Sequence, residues 1–189
     1  MTSTTHQNQP GFTIIELIIT VALLATMLAV AVPGFANLFQ NNALATASNR
    51  FVSSISLARN EAISRNTDVI MCNINISNTA CATNGQWESG WVVWVDLDGD
   101  GTIEDPNDNG DLEVIHREEA MPAGYTLRAA TYSNIITFAP TGEASGDSSS
   151  AADTFRLCDA SQSPDTSRSI NFNAVGRAWV TTNPVTACP

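Results

Sequence analysis

The sequence predicts an α+β fold in which one long N-terminal helix precedes an all-β head and packs against it. Three observations support this prediction. Residues 12–32 form an apolar run, and residues 33–66 continue with the period of an amphipathic helix. Residues 67–189 then contain short β-type runs separated by turn residues. Residues 1–11 precede these segments, so the chain is expected to have a short N-terminal segment, two helix halves and one head.

The apolar run is long enough to cross a membrane. Its 21 residues, from Phe12 to Val32, contain one charged residue, Glu16, and span about 32 Å at ~1.5 Å per residue. A carboxylate at that depth costs on the order of 3 kcal/mol, so an ionisable residue inside a membrane span is treated as functional by default. The alternative is an ordinary signal anchor in which Glu16 is tolerated near the end of the helix.

The residues around Glu16 carry a more specific signal. The segment Gly11-Phe12-Thr13-Ile14-Ile15-Glu16-Leu17 resembles the processing site of class III signal peptides, found in type IV pilins and in the pseudopilins of type II secretion. The resemblance implies that a prepilin peptidase/N-methyltransferase cuts between Gly11 and Phe12 and methylates Phe12. Ordinary secretory signals are cut after the apolar run instead. The resemblance also implies that Glu16 is retained for assembly and that the helix kinks at Pro33.

A carboxylate at Glu16 has a physical use in a filament. When subunits pack their apolar helices side by side, each brings the amine of Phe12 into a low-dielectric bundle, where an unpaired charge is unfavourable. Glu16 can pair with that amine between subunits and fix the register, as a buried polar residue does in a coiled coil. The leader before Gly11 contains no Lys or Arg, so the orientation of the span is weakly encoded.

After Pro33 the pattern becomes that of an amphipathic helix. The residues expected on its inner stripe are Leu44, Ser48, Phe51, Val52, Ile55, Ala58, Ala62 and Ile63. Those expected on the opposite face are Arg50, Ser53, Ser54, Asn60, Glu61 and Ser64. Glu61 and Arg65 form a favourable i,i+4 pair. Leu57 falls on the polar face, where it is either a tolerated exposed leucine or a contact with a neighbouring subunit.

Strands are predicted in the head near residues 69–73, 90–96, 113–117, 125–128, 135–138, 154–158, 169–172 and 178–181. Gly142 and Gly176 end two similar segments, in each of which a strand enters a glycine turn that leads into the next strand. The sequence therefore predicts two related hairpins.

The order of these segments extends the resemblance along nearly the whole chain. The segments that carry it are Arg59-Asn60-Glu61-Ala62, the tryptophan-rich residues 87–96, Phe138-Ala139-Pro140-Thr141-Gly142 and Asn173-Ala174-Val175-Gly176-Arg177. Their order is similar to that of the GspH/FimT group of minor pilins and pseudopilins. The resemblance implies a type IV pilin-like fold and a structural subunit near the tip of a type II secretion pseudopilus or type IV pilus, where it acts in assembly or initiation. Its implied partners are other pilin or pseudopilin subunits, with the helix in the inner membrane and the head in the periplasm.

Four cysteines follow the membrane anchor: Cys72, Cys81, Cys158 and Cys188. An even count on the outer side of an anchor favours disulfides, and of the three possible pairings the local ones, Cys72–Cys81 and Cys158–Cys188, are the simplest. The second would close a loop of about 30 residues and contribute on the order of 3 kcal/mol. A zinc site is the alternative, although no pair has the CxxC spacing and neither His6 nor His116 is near a cysteine in sequence.

An acidic loop follows the second predicted strand. Its first carboxylates occupy alternate positions, at Asp96, Asp98 and Asp100. With Gly101 at the sixth position, this matches the first part of an EF-hand calcium loop. The twelfth position is Asn107 and not the bidentate Glu, so the sequence predicts a weak, less regular calcium site in which Asp105 or Asp108 supplies that ligand. The alternative is a solvated acidic turn in an acidic protein.

Composition and motifs bear on the remaining classes of function. The 189 residues include 19 acidic and 8 basic side chains, and the net charge is −11. The sequence has no nucleophile elbow, phosphate loop, dinucleotide fingerprint or HExxH motif, so no enzyme activity is predicted. The alternative function is a DNA-binding minor pilin for DNA uptake, which uses a C-terminal Gly-Arg followed by a second Arg. Here only Arg177 is present, beside Trp179, so nucleic acid is not expected as a partner.

Overall fold

The computed structural model describes residues 12–74, 79–103, 113–147, 152–163, 166–182 and 188, without the side chains of residues 32–37. Within these ranges the chain forms one α-helix, α1 (Ile14–Arg65), and nine strands. The strands are β1 (Val69–Asn73), β2 (Trp91–Trp94), β3 (Val114–Glu118), β4 (Thr126–Arg128), β5 (Ile135–Phe138), β6 (Ala144–Ser145), β7 (Asp153–Cys158), β8 (Arg168–Phe172) and β9 (Ala178–Thr181). The predicted order of a long helix followed by a β-rich head is confirmed.

The chain divides into two compact units, Met1–Gln40 and Asn41–Pro189. In the first unit the stretch Ile14–Ala31 has a mean hydropathy of 2.5, and among the described residues it is the one helical stretch long and apolar enough to cross a membrane. None of its side chains is buried. A helix that is apolar on all sides is typical of a segment surrounded by lipid or by other apolar helices.

In the second unit α1 buries most of the predicted inner stripe. Leu44, Phe51, Ile55, Ala58 and Ala62 are completely buried. Ser48 is also buried. Its burial is tolerated because its Oγ donates to the Leu44 carbonyl at 2.8 Å, so the hydroxyl has a hydrogen-bond partner inside the helix. The stripe predicted from the period is therefore largely the core-facing surface of the helix.

The edges of that stripe differ from the prediction. Ile63, predicted to lie on it, is 46% exposed, because it lies about 100° around the helix from Ala62. Ser54, predicted on the polar face, is buried, and its Oγ donates to the Arg50 carbonyl at 3.0 Å. A serine can take a buried position when a carbonyl of its own helix satisfies its hydroxyl. Leu57 is half-buried.

Two antiparallel sheets form the head. The five-stranded sheet has the order β3-β2-β1-β5-β6, and the four-stranded sheet has the order β4-β7-β8-β9. β1 is central in the first sheet, where Met71 lies opposite Val93 of β2 and Ile136 of β5. The sequence pattern does not predict β6, because its two residues, Ala144 and Ser145, are neither β-branched nor aromatic.

An aromatic cluster joins α1 to both sheets. The ring of Phe51 meets those of Trp87, Trp91 and Phe155 edge to face, with centroid distances of 5.3, 5.2 and 4.8 Å. Trp91 belongs to β2 and Phe155 to β7, so one residue of the helix contacts both sheets. Edge-to-face pairs of this kind each contribute about 0.5–1.5 kcal/mol beyond the area they bury.

The two predicted glycine hairpins have the same hydrogen bonds. Residues 139–143 join β5 to β6, and residues 173–177 join β8 to β9. In each turn the first residue donates its N–H to the carbonyl of the fifth, at 2.9 and 3.1 Å, and the glycine donates to the carbonyl of the first, at 2.8 and 2.9 Å. Gly142 and Gly176 have φ angles of +82° and +76°, which favour glycine. The prediction of related hairpins is confirmed.

Two aspartates hold the connection from β4 to β5. An oxygen of Asp153 accepts hydrogen bonds from the backbone N–H groups of residues 130–132. An oxygen of Asp147 accepts from the Asn134 N–H and the Ser133 hydroxyl, both at 2.9 Å. Burial by itself would raise the pKa of Asp147, but the hydrogen bonds from Asn134 and Ser133 favour the carboxylate and lower that pKa below its usual value.

Candidate functional site

The start of α1 brings together two residues of the predicted processing and assembly site. Thr13 caps the helix, since its Oγ1 accepts from the Glu16 N–H at 3.3 Å and its carbonyl accepts from the Leu17 N–H at 3.2 Å. Phe12 is 91% exposed. Phe12, Glu16, Leu17 and Thr20 line a surface cavity of about 200 Å³. Glu16 therefore lies on the same surface as Phe12, where a group from another chain can reach it.

The sequence Thr13-x-x-Glu16 is also a capping-box pattern, a local signal in addition to the processing motif. It gives Glu16 a second role, because the helix dipole favours a carboxylate in the first turn. Gly11 lies outside the described residues, so cleavage after it stays a prediction. α1 is helical across Pro33, whose side chain is not described, and the kink there also stays a prediction.

Both local disulfides are present in the structure. Cys72 of β1 is bonded to Cys81, and Cys158, the last residue of β7, is bonded to Cys188. The Cα–Cα distances of 5.6 and 5.9 Å are common for disulfides. The second bridge attaches the C-terminal end of the chain to the four-stranded sheet. Zinc binds thiolates, and a sulfur atom in a disulfide is not one.

Side-chain to backbone bonds shape the acidic loop after β2. The carboxylate of Asp96 accepts from the N–H of Gly99 at 2.8 Å and from that of Gly101 at 3.2 Å. Asp98 accepts from the Asp100 N–H at 3.2 Å. Aspartates commonly bond the backbone two or more residues further on, so these contacts are those of an ordinary Asx-type loop.

Three carboxylates lie close together at this loop. One oxygen from each of Asp96, Asp98 and Glu113 lies within 4.8 Å of the others. Glu113 is completely buried and also accepts from the Leu97 N–H at 2.9 Å. Asp100, predicted as a third ligand, is not among these three carboxylates. Its carboxylate accepts a hydrogen bond from the Thr102 N–H instead. Asp105 and Asp108 lie outside the described residues. The ligand chemistry suits a hard cation, and calcium binding stays a prediction.

Arg59, on α1, contacts both glycine turns. Its Nε donates to the Gly142 carbonyl at 3.1 Å. A Cβ placed on Gly176 would lie 2.9 Å from Cδ of Arg59 and 2.5 Å from the carbonyl oxygen of Gly142. The second turn thus packs against the first turn and the arginine at once. In the sequence Arg59 stands out only as part of the family resemblance, because a contact across 83 residues leaves no local pattern.

Arg177 is exposed at the end of the second turn, immediately before β9. It lines a cavity of about 480 Å³ together with Arg59, Ser56, Asn60 and three neighbouring residues of the turn and β9. Trp179 lies two residues further along β9 and is 45% exposed. The C-terminal motif lacks a second arginine, but in the structure Arg59 of the helix lines the same cavity as Arg177. DNA binding through this region stays an alternative prediction.

Two protein-family models match the chain. One is described as "Type II transport protein GspH" and matches residues 47–176. The other is described as "Prokaryotic N-terminal methylation motif" and matches residues 6–32. The second range contains Phe12 and Glu16, and the first contains α1 from residue 47 and most of the head. No curated protein sequence matches the chain.

Two solved structures share the fold, and both are crystal structures of the type IV minor pilin FimU from Pseudomonas aeruginosa. One has a TM-score of 0.58 and 17% sequence identity, and the match covers 78% of this chain and 96% of that one. The other crystal form has a TM-score of 0.56 and 16% identity, with 77% and 100% covered. At this identity the comparison shows the fold, and the predicted type IV pilin-like fold is confirmed.

Proposed function

The chain belongs to the GspH family of type II transport proteins, and from this premise we propose that it is a minor, structural subunit of a type II secretion pseudopilus or a type IV pilus. Its apolar helix holds it in the inner membrane with the head in the periplasm until it is extracted into the filament. It acts near the tip, in assembly or initiation. This role is structural and needs no catalytic residue.

The observation that carries this proposal is the placement of Glu16 beside Phe12 at the start of an apolar helix. Prepilin peptidase/N-methyltransferase cuts between Gly11 and Phe12, which creates an amine at Phe12. In the filament Glu16 pairs with that amine between subunits. Each charge is offset by the other in surroundings of low dielectric, where either alone would be unfavourable.

Mass spectrometry of the full chain, produced in its native host, tests the processing step. We expect a mature chain that begins with N-methylated Phe12 and is found in the sheared filament fraction. Gly11→Leu should leave the full-length chain in the membrane, because the larger side chain fills the space that the peptidase needs at that position. A mature chain beginning at Phe12 in the Gly11→Leu variant, or wild-type chain absent from the filaments, would contradict the proposal.

Deletion of the gene distinguishes the two filaments. Loss of protein secretion with normal pili identifies the pseudopilus, and loss of pili with normal secretion identifies the type IV pilus. DNA uptake is a less favoured function, because a net charge of −11 repels phosphate at long range. A gel shift at moderate salt with the purified full-length chain tests it.

A further inference from the structure

The cavity between α1 and the second glycine turn has a charge opposite to that of this acidic chain. It is lined by Ser56, Arg59 and Asn60 from α1 and by residues 175–178 from the turn and β9. Two of these seven residues are arginines and none is acidic. The chain as a whole has 19 acidic and 8 basic side chains, so a pocket whose charged residues are both positive contrasts with its net charge.

Both arginines of this pocket are held by the fold. The Nε of Arg59 donates to the Gly142 carbonyl, and its Cδ packs near Gly176. The backbone of Arg177 is fixed by Asn173, because the Arg177 N–H donates to the Asn173 side chain at 2.9 Å and the Arg177 carbonyl accepts from the Asn173 N–H. An anion entering the pocket would therefore find the guanidinium of Arg59 already anchored and the backbone that carries Arg177 already fixed, which reduces the entropy lost on binding.

These arginines differ from three others of the head, which form ion pairs with carboxylates. Arg50 pairs with Glu118 at 2.9 Å, Arg65 pairs with Glu61 at 2.7 Å, and Arg128 pairs with Glu88. Within the described part of the chain, Arg59 and Arg177 form no such pair with a carboxylate. A guanidinium presents a planar set of donors that fits a carboxylate in two-point contact.

An open strand edge adjoins the pocket, and exposed apolar side chains lie on both faces of the chain there: Val175 lines the pocket, and Trp179 lines a separate cavity on the opposite face. β9 is the last strand of the four-stranded sheet, and among the described residues no strand pairs with its outer edge. Val175 is 56% exposed and Trp179 is 45% exposed, on either side of Arg177. Ala178 and Val180 pack toward the core, so Trp179 points to the opposite face. Tryptophan and arginine are the residue types enriched among those that dominate protein interfaces.

From these observations we infer that the outer edge of β9, with the Arg59–Arg177 pocket, is the docking site for an acidic segment of a neighbouring pilin-type subunit. The segment lies extended along β9, so its alternate side chains reach the two faces of the sheet. On one face a carboxylate contacts the two arginines, and on the other an apolar group packs against Trp179. Strand addition of this kind gives affinity through the backbone and specificity through the side-chain pocket. The inference rests on the proposed function as a filament subunit and identifies the surface that the neighbouring head contacts.

A protein carboxylate fits this site better than a nucleic acid does. Affinity for a nucleic acid comes from several phosphate contacts together, and only two arginines converge here. The remainder of an acidic head would repel an extended polyanion, whereas a single carboxylate needs only the pocket. The open edge of β9 also offers backbone groups that pair with another polypeptide.

The first test measures how much of each full-length variant enters the sheared filaments, relative to its amount in the membrane. Trp179→Ala and Arg177→Glu should each reduce incorporation about tenfold. Arg177→Lys should retain part of it, because the charge remains but the two-point contact is lost. The matched controls are Leu97→Ala, at a similarly exposed apolar residue, and Arg65→Glu, which makes the same charge change elsewhere. Both should enter filaments at the wild-type level.

The second test identifies the partner. The photoreactive residue p-benzoylphenylalanine replaces Trp179 in the full chain, and the cross-linked peptides are sequenced by mass spectrometry. We expect a peptide from the head of another pilin-type subunit that contains an aspartate or glutamate. A cross-link to nucleic acid, to lipid or to a protein without a pilin-type helix would overturn the inference, as would normal incorporation of both Trp179→Ala and Arg177→Glu.

Failure of the inference can be told apart from failure of the proposed function. If wild-type chain enters filaments and Glu16→Ala does not, the proposed function stands, and normal entry of the β9 variants then refutes only the docking site. If wild-type chain never enters filaments, the proposed function itself fails. Thermal unfolding of each detergent-solubilised variant shows whether its head is folded. If Arg177→Glu is not folded, the cross-linking variant, which is altered only at an exposed side chain, decides whether the outer edge of β9 is the docking site.

Discussion

Gly176 faces the carbonyl oxygen of Gly142 so closely that a Cβ placed on Gly176 would lie 2.5 Å from it. Gly176→Ala should therefore lower the free energy of unfolding by about 2–4 kcal/mol, since strain at positive φ adds to the steric clash. Gly99→Ala is the matched control. Gly99 has a φ of +81°, but a Cβ placed on it would meet no atom within 4 Å, so only the strain of about 1–2 kcal/mol applies.

Chemical denaturation of the detergent-solubilised full chain measures both glycine variants. Equal losses of stability at Gly176 and Gly99 would mean that the two turns do not pack as closely as described. A larger loss at Gly176 would support the contact among the two turns and Arg59.

Glu16→Ala should leave processing intact and reduce incorporation into filaments about tenfold or more, because each subunit then buries the amine at Phe12 without its partner. Glu16→Gln keeps the shape of the side chain and should show a similar loss if charge is what matters. Mass spectrometry of the membrane fraction measures processing, and the sheared fraction measures assembly. Glu61→Ala, elsewhere on α1, is the control, and normal incorporation of Glu16→Ala would contradict the pairing.

A peptide map under non-reducing conditions should contain Cys72 joined to Cys81 and Cys158 joined to Cys188. The sequence separations are 9 and 30 residues. If closure of the unfolded chain dominates, replacing the first pair with alanine should cost about 2.6 kcal/mol and replacing the second about 3.6 kcal/mol. Free thiols or crossed pairing in the map would refute the arrangement.

Calcium should raise the unfolding temperature of the full-length chain above that in magnesium or chelator, if the loop after β2 binds the ion. The convergence of Asp96, Asp98 and Glu113 sharpens this test, since Asp98→Asn should remove the effect while Asp100→Asn should largely keep it. The same midpoint in all three conditions would mean that the loop is a solvated acidic turn.

The hydrogen bonds to Asp147 predict a stability that depends on pH. Because the folded pKa is lowered below 3.8, the contribution of this carboxylate is fully present above that value and is lost as the pH falls through the folded pKa. Asp147→Asn should therefore lower the unfolding midpoint at pH 7 and have less effect near pH ~2. Glu119→Gln, at another exposed carboxylate, is the control. An equal effect of Asp147→Asn at both pH values would contradict this origin.

Local chemistry determined most of the elements from the sequence alone. The apolar run, the helical period beyond Pro33 and the clusters of β-branched and aromatic residues locate α1 and eight of the nine described strands. Each of these signals depends only on near neighbours in the chain, as does the processing motif around Glu16. The disulfide pairs were also accessible, because both are local in sequence.

Long-range packing decided the remainder. Three features depend on segments that meet only after folding. They are the central position of β1 between β2 and β5, the burial of Ser54 while Ile63 is exposed, and the proximity of Glu113 to Asp96 and Asp98. The Arg59–Arg177 pocket is the clearest case. Its residues come from the helix and from a turn near the C-terminus. The steric fit of Gly176 against Gly142 and Arg59 brings them together, and no short sequence pattern predicts a fit between segments so far apart in the chain.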